Sequence, residues 1–423
     1  MTKTAKRTLY ICYFGLRQPL VQTQVIPYLR EISKDGIETS LLTFEPNFRY
    51  EWNAEQIESE KENLAAKGIE WHCLPYHKRF SVLATAFDIF AGACFVWRMI
   101  AAKDLDVLHG RVHVPALMGA LARKFSKRKP RLLFDIRGFF PEEYTDAGVW
   151  PPNGVVYRIV KRVEAWLMKQ SDGFVVLTEK AREILFPNSK ESGFDTFGRP
   201  IEVIPCCVDL EQRFSGRLDD LRDETRLKLG VKERFVFTHV GALGGLYLTE
   251  EIVDFLQAAR SSDPTIFALF LIQNDSKQIV RLLLERGFSQ DDYFVGSVDP
   301  RDVPAYLRAS DVGLSFVKSG YATQSRSPTK IPEYLACGLP IIANSGVGDV
   351  DSLIDRTGVG VLIHSFTSEN YLKAVESIVK IGDVRERCRE VAKREFDLST
   401  VGGQRYRRLY QRLLDVPGEN STR

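Results

Sequence analysis

The stretch Ser325–Asp351, SRSPTKIPEYLACGLPIIANSGVGDVD, carries the alternation from which the whole chain is built. Ser327 has the side chain of an N-cap, and Pro328 has the fixed φ of a first helical position. A helix is expected over Pro328–Cys337, and Pro332 would cost it one hydrogen bond in that register. Gly338 ends the helix and Pro340 opens a strand, Pro340–Ala343. That strand is a continuous apolar run without polar alternation, as a parallel sheet covered on both faces requires.

The same unit recurs in both directions. Upstream, strands are expected at Leu9–Phe14, Glu38–Phe44, Ile69–Leu74, Asp106–His109, Arg131–Ile136, Gly173–Leu177 and Ile201–Ile204. Helical patterns such as Val21–Lys34, Val82–Ala102 and Tyr157–Lys169 lie between them. A second series has strands at Phe235–Val240, Phe267–Ile272, Tyr293–Val298, Val312–Phe316 and Gly360–Ile363, with helices at Glu250–Arg260 and Lys277–Glu285. Two βα series of this length imply an α/β protein of two doubly wound, Rossmann-like domains facing across a cleft. The junction is expected near Pro205. Residues 1–205 form the first domain and 206–398 the second, which opens with a charged helix over Leu218–Gly230. Residues 399–423 form a last helix packing back on the first domain, with a frayed tail from Val416.

The chain has 423 residues, 44% hydrophobic and 27% charged, the composition of a globular protein with a sizeable core. Its net charge of +3 argues against a dedicated nucleic-acid binder. The seven cysteines include no CxxC pair and no zinc spacing, so they read as reduced thiols in a cytosol. Phe80–Ala102 is largely apolar but is interrupted by Asp88 and Arg98, too many charges for a spanning helix. It reads either as a buried amphipathic helix or as an interfacial one. With the basic run Arg123–Arg131, RKFSKRKPR, and the Tyr157–Lys169 helix, the second reading makes a peripheral membrane surface.

Chemistry is expected first at the Ser327 helix. Unpaired amides at a helix start attract phosphate, and Lys330 adds a full charge one turn in. Glu333, three residues later on the same side, suits a ribose diol. Arg326 and Thr329 flank the same start. The glycine-rich turn GALGGLY, with Gly241, Gly244 and Gly245, follows a strand where backbone approaches a ligand. It is not GxGxxG. Glu250 and Glu251 in the next helix would repel a phosphate there, so the loop is expected to make room while the Ser327 helix holds charge. In the first domain, Gly15 follows the first strand. Asp135 and Arg137 end another in DIRGFFPEEYTD, with Arg137 suited to phosphate and Asp135 to a base or hydroxyl acceptor. His109, Arg111, Glu142 and Tyr144 are acceptor-side candidates; for His109 and His113 a core position is the simpler reading. The pairs Asp104/Asp106 and Asp349/Asp351 match a metal-binding DxD on paper, but capping and solvation explain both.

The chain resembles retaining glycosyltransferases of family 4, with the GT-B fold. The resemblance spans nearly all of it and is carried by SPTKIPEYLACGLPIIANSGVGDVD, DIRGFFPEE, EAWLMKQSDGFVVLTEKA and IPCCVDLEQRF. It implies a nucleotide-sugar donor on the second domain, an acceptor on the first and no divalent metal or other cofactor. Glu333 matches the second Glu of the family's E-x7-E motif, which holds the donor ribose. Lys330 and the amides from Ser327 onward would face the diphosphate, and Arg137 falls where many members carry a His near the donor sugar. The first Glu of the motif is replaced by Ser325. The family's Arg and Lys after the first strand of the second domain are replaced by Ala242 and Tyr247. Phosphate charge would then be met by Lys330, Arg326, Lys318 or Arg137, as in a subgroup of polysaccharide-assembly enzymes with the SPTK form. The implied reaction is sugar transfer to a glycan or lipid-linked glycan at the inner face of the membrane, with retention of configuration. A nucleotide-sugar epimerase of the same architecture and a non-catalytic nucleotide-sugar-binding subunit are the alternatives.

Overall fold

The computed structural model describes residues 5–77, 81–214, 221–273 and 276–415. Phe80, Leu218 with the two residues after it, and the tail Val416–Arg423, all within segments named above, lie outside the described residues. The chain divides into two units. One runs to Pro205 and takes in the segment from Leu398; the other is Cys206–Asp397.

The first unit holds a seven-stranded sheet: β1 (Arg7–Ile11), β2 (Glu38–Glu45), β3 (Ile69–Pro75), β4 (Val107–Arg111), β5 (Arg131–Ile136), β6 (Gly173–Val176) and β7 (Ile201–Val203), in the order β3-β2-β1-β4-β5-β6-β7. The second holds six: β8 (Val236–Val240), β9 (Phe267–Leu271), β10 (Tyr293–Gly296), β11 (Val312–Ser315), β12 (Ile341–Asn344) and β13 (Gly360–Ile363), in the order β10-β9-β8-β11-β12-β13. All pairings within both sheets are parallel. Each sheet is doubly wound, as expected, and strand ends differ from the expectation by a few residues. The apolar runs owe their composition to burial on both faces: β9, FALFL, is buried along its whole length.

Three departures have local causes. The helix expected over Val21–Lys34 is two, Pro19–Gln24 and Ile26–Ser33. Pro27 lacks an N–H and would clash with the carbonyl one turn back, so the chain breaks at Val25. The helix expected from Pro328 begins at Lys330 and runs only to Ala336. Pro332 thereby falls in the first turn, where N–H groups have no intrahelical partner, and costs nothing. The apolar helix Ser81–Lys103 is not buried all round. Ala93, Val96, Met99 and Ile100 enter the core of the first unit, while Leu83, Phe87, Phe90 and Trp97 stay exposed.

The C-terminal helix Gln404–Asp415 belongs to the first unit. Arg407 pairs with Glu31 (2.9 Å) and Arg408 holds Glu202 through two bonds of 2.6 and 2.7 Å. Tyr406 and Tyr410 are fully buried beneath it.

Candidate active site

In doubly wound sheets ligands bind beyond the carboxyl ends of strands where the winding direction reverses. The reversal falls between β8 and β11 in the second unit, and between β1 and β4 in the first.

Beyond β8 lies the glycine turn. Gly241, Gly244 and Gly245 have φ of +98°, +75° and +65°, a region that side chains strain to enter. An added Cβ at any of them would meet nothing within 4 Å, so the turn borders open space. Thr249 Oγ1 accepts from Gly244 N–H (3.0 Å) and fixes the turn to the following helix.

Lys330 reaches this region from beyond β11. It is 3% exposed, with Nζ 4.0 Å from the Tyr247 ring centroid and 3.4 Å from His239 Nε2. Among the described residues no carboxylate forms an ion pair with it. Burial pushes its pKa down to about 7; Glu333 works against the shift and Arg326 adds to it. Burial and Lys330 together hold His239 well below the ordinary histidine value. A cation with no ion-pair partner among the described residues, beside an open glycine turn, is a seat for an anion.

Tyr334 sets this geometry. Its hydroxyl accepts from Val240 N–H (3.0 Å) and donates to Leu314 O (3.2 Å), pinning the Lys330–Ala336 helix across the ends of β8 and β11. Gly313 makes the approach possible: a Cβ there would lie 2.3 Å from the Tyr334 ring.

Other donor-side expectations are modified. Ser327 is no N-cap; its Oγ accepts from Cys206 N–H (3.0 Å). Thr329 precedes the helix in helical conformation and makes no side-chain cap. The amide supply is also smaller than expected, because Pro328 and Pro332 have no N–H and Ile331 N–H bonds Pro328 O. Glu333 does not pair with Lys330. Its Oε1 is 3.1 Å from Arg213 Nη1, the carboxylate is 17% exposed, and burial raises its pKa. Arg326 is half-buried. Ser325 is buried and donates to Ala322 O (2.7 Å).

The first unit gathers a different set. Asp135 is fully buried at the end of β5. It accepts from Tyr406 Oη (3.0 Å) and lies 3.5 Å from His109 Nε2, 3.6 Å from Arg137 Nη1 and 3.8 Å from Arg111 Nη1. Burial acts to raise its pKa, but Arg137, His109 and Arg111 outweigh it and leave the carboxyl well below its usual range. His109 is equally buried, bonded to Tyr410 Oη through Nδ1 (2.9 Å), and burial lowers its pKa. The base role expected of Asp135 and the acceptor contact expected of His109 are corrected: Asp135 is an enclosed counter-charge for the two arginines, and His109 is a buried histidine held between Tyr410 and Asp135. Gly110 permits this packing, since a Cβ would lie 2.4 Å from Ala116 Cα. Val112, a β-branched residue, is forced to φ +68°, ψ 178° directly after Arg111. Strain of this kind gathers at functional sites.

Gly15 is required by space, with a hypothetical Cβ 2.7 Å from Pro46 Cδ. The next amide, Leu16 N–H, is held by the buried Glu45 carboxylate (2.9 Å). Glu142 accepts from Tyr157 Oη and pairs with Lys161, both at 3.0 Å, while the half-exposed Tyr144 packs on Phe140 and Trp150. Neither joins the Asp135 cluster. Asp104 and Asp106 both pair with Arg128, and Asp351 caps Gly346 N–H, so the DxD pairs serve structure. The residues absent from the sequence reading are His239, Tyr247 as a ring under Lys330, Tyr334 and Arg213. For His239 a signal existed: a histidine one residue from the end of the strand that feeds the glycine turn.

The family model Glycosyltransferase Family 4 matches residues 21–212, and Glycosyl transferases group 1 matches residues 222–395. No curated protein sequence matches the chain. Among solved structures it is similar to Anabaena HepE in complex with UDP and glucose: 15% identity, TM-score 0.66, covering 96% of this chain and 100% of that one. It is also similar to the sucrose-phosphate synthase of Thermosynechococcus elongatus (14%, 0.68, 96% and 99%). A third is WaaG, a glycosyltransferase involved in lipopolysaccharide biosynthesis (15%, 0.63, 94% and 98%). The chain thus matches a glycosyltransferase family 4 model in its first part and a glycosyl transferases group 1 model in its second, and its two Rossmann-like parallel sheets are those of the GT-B fold.

Proposed function

We propose that the protein transfers a sugar from a nucleotide-diphosphate donor to a hydroxyl of a glycan or lipid-linked glycan, with retention of configuration, in the cytoplasm at the inner face of a membrane. The observation that carries the reading is the buried Lys330 ammonium, without an ion-pair partner among the described residues, beside the open turn of Gly241, Gly244 and Gly245. The complexes of HepE with UDP and with UDP-glucose support a nucleotide-sugar donor.

In this reading the diphosphate lies against Lys330 and the glycine turn, and Glu333 takes the ribose. As the glycosidic bond breaks, negative charge grows on the departing diphosphate. A preorganised cation in a dehydrated pocket stabilises that charge more than it stabilises the ground state. Neutral His239 and the Tyr247 ring hold the ammonium without adding a competing charge. Arg137 is assigned to the donor sugar or its phosphate, and the reaction is proposed to need no divalent metal.

A thermal-shift screen against UDP-, GDP-, ADP- and dTDP-sugars tests donor binding. A true donor at a hundredfold excess over Kd adds about 2.7 kcal/mol of stability. Product analysis with that donor then separates transfer from epimerisation, which needs no acceptor. The non-catalytic reading has one observation in its favour: Ser325 and Ala242 stand where the family carries charged residues. Donor binding without turnover across a broad acceptor panel decides for it.

A further inference from the structure

The helix Ser81–Lys103 carries Leu83, Phe87, Phe90 and Trp97 at spacings of four, three and seven residues, which place them on one stripe. Phe87 and Phe90 are 56% and 68% exposed. Trp97 Nε1 donates to Phe125 O (3.3 Å), joining this stripe to the end of the neighbouring helix, where Phe125 is 74% exposed. Scattered exposed apolar residues need no explanation, but a stripe that continues onto a second helix does.

The exposed charges carried by this helix and the helices beyond it are basic. Exposed Arg98 lies on this helix, Lys124 and Lys127 on or just after the helix packed against it, His113–Phe125, and Arg158 and Arg162 on the helix packed in turn against that one, Val155–Gln170. None has an ion-pair partner among the described residues. These three helices carry two acids, both engaged: Asp88 is buried against Tyr13 and His77, and Glu164 pairs with His113 and Lys161.

We propose that this face docks on an anionic phospholipid bilayer, with the Phe87–Phe90–Trp97 stripe at the headgroup–acyl boundary and the arginines and lysines on lipid phosphates. A second copy of the chain fits poorly, because a two-fold contact through this face would oppose basic rims. A nucleic acid would satisfy the charge but leave the stripe in water. The opposite side of the helix fills the core of its unit, so the helix lies in the interface rather than crossing it. The inference deepens the reading of a lipid-linked acceptor and rests on that reading for its purpose.

The test is co-sedimentation of the full chain with equimolar phosphatidylcholine–phosphatidylglycerol vesicles and with phosphatidylcholine vesicles. The protein is expected to bind the first, to lose binding in high salt, and to show a blue-shifted tryptophan emission that Trp97→Phe removes. Phe87→Ser combined with Phe90→Ser is expected to weaken binding by about tenfold or more, and Arg158→Gln combined with Arg162→Gln to flatten the salt dependence. Melting temperature and transfer to a soluble acceptor stay at wild-type values in both double variants. Equal binding by the serine variant overturns the proposal, as does wild-type protein that ignores both vesicles or a face that proves to bury a dimer. Sedimentation needs neither donor nor acceptor. Docking without transfer would therefore sink the transferase reading alone, and transfer without docking would sink this one.

Discussion

Lys330 sets activity against stability. Its ammonium is buried without an ion-pair partner among the described residues, so it weakens the fold while serving the reaction. Lys330→Met should keep the packing on Tyr247, leave the melting temperature equal or higher, and lower kcat by about a hundredfold to a thousandfold. Steady-state kinetics beside a thermal melt check both halves, and an unchanged kcat removes Lys330 from the mechanism. The pKa of about 7 supplies a second prediction. An anion favours the protonated form, so above pH 7 its binding takes up a proton. Affinity for inorganic pyrophosphate should fall as pH rises, by up to about tenfold per unit. Calorimetry in two buffers of different ionisation enthalpy should show that proton. In the unliganded protein the sign is opposite: the unfolded chain holds the proton up to its ordinary value, so this group makes folding more favourable as pH rises from 7. Glu333→Gln should mainly raise the donor KM, since it weakens a hydroxyl contact made in ground and transition states alike.

Among elements, the Lys330–Ala336 helix is too short to hold its own direction, and its orientation comes from Tyr334. Tyr334→Phe would leave the half-buried Val240 N–H without its hydroxyl partner, at a cost of about 1–3 kcal/mol read from denaturant unfolding. The effect should extend to donor affinity, because Lys330 rides on the same turn; a stable variant with wild-type affinity would show that the helix is placed by other contacts. The strands and this helix were legible in the sequence because apolar runs, Pro and Gly mark them locally. Its start was not. Ser327 has the right side chain for a cap, but Cys206 N–H, distant in the chain, claims it. The Asp135 cluster was half legible: a charged pair at a strand end was visible, its burial was not.

At the scale of the whole molecule, the chain returns from the second unit to complete the first. Tyr406 and Tyr410 close the Asp135–His109 cluster from the last helix. A chain cut before Gln404 should therefore lose the cooperative melt of the first unit, seen by calorimetry, because Asp135 and His109 lose the Tyr406 and Tyr410 hydroxyls. A truncated protein with an unaltered melt would make that helix an accessory.

What the sequence determined alone is the architecture: thirteen strand positions, two parallel sheets and the segments at their carboxyl ends follow from periodicity and turn residues, which act over a few neighbours. Tertiary structure decided the state of each charge. Lys330 was buried without an ion-pair partner among the described residues, Glu333 was paired with Arg213, Asp135 became an enclosed anchor, and the apolar stripe of the Ser81–Lys103 helix was left in the open. Such outcomes depend on burial and on partners far away in the chain, and local pattern holds no record of either.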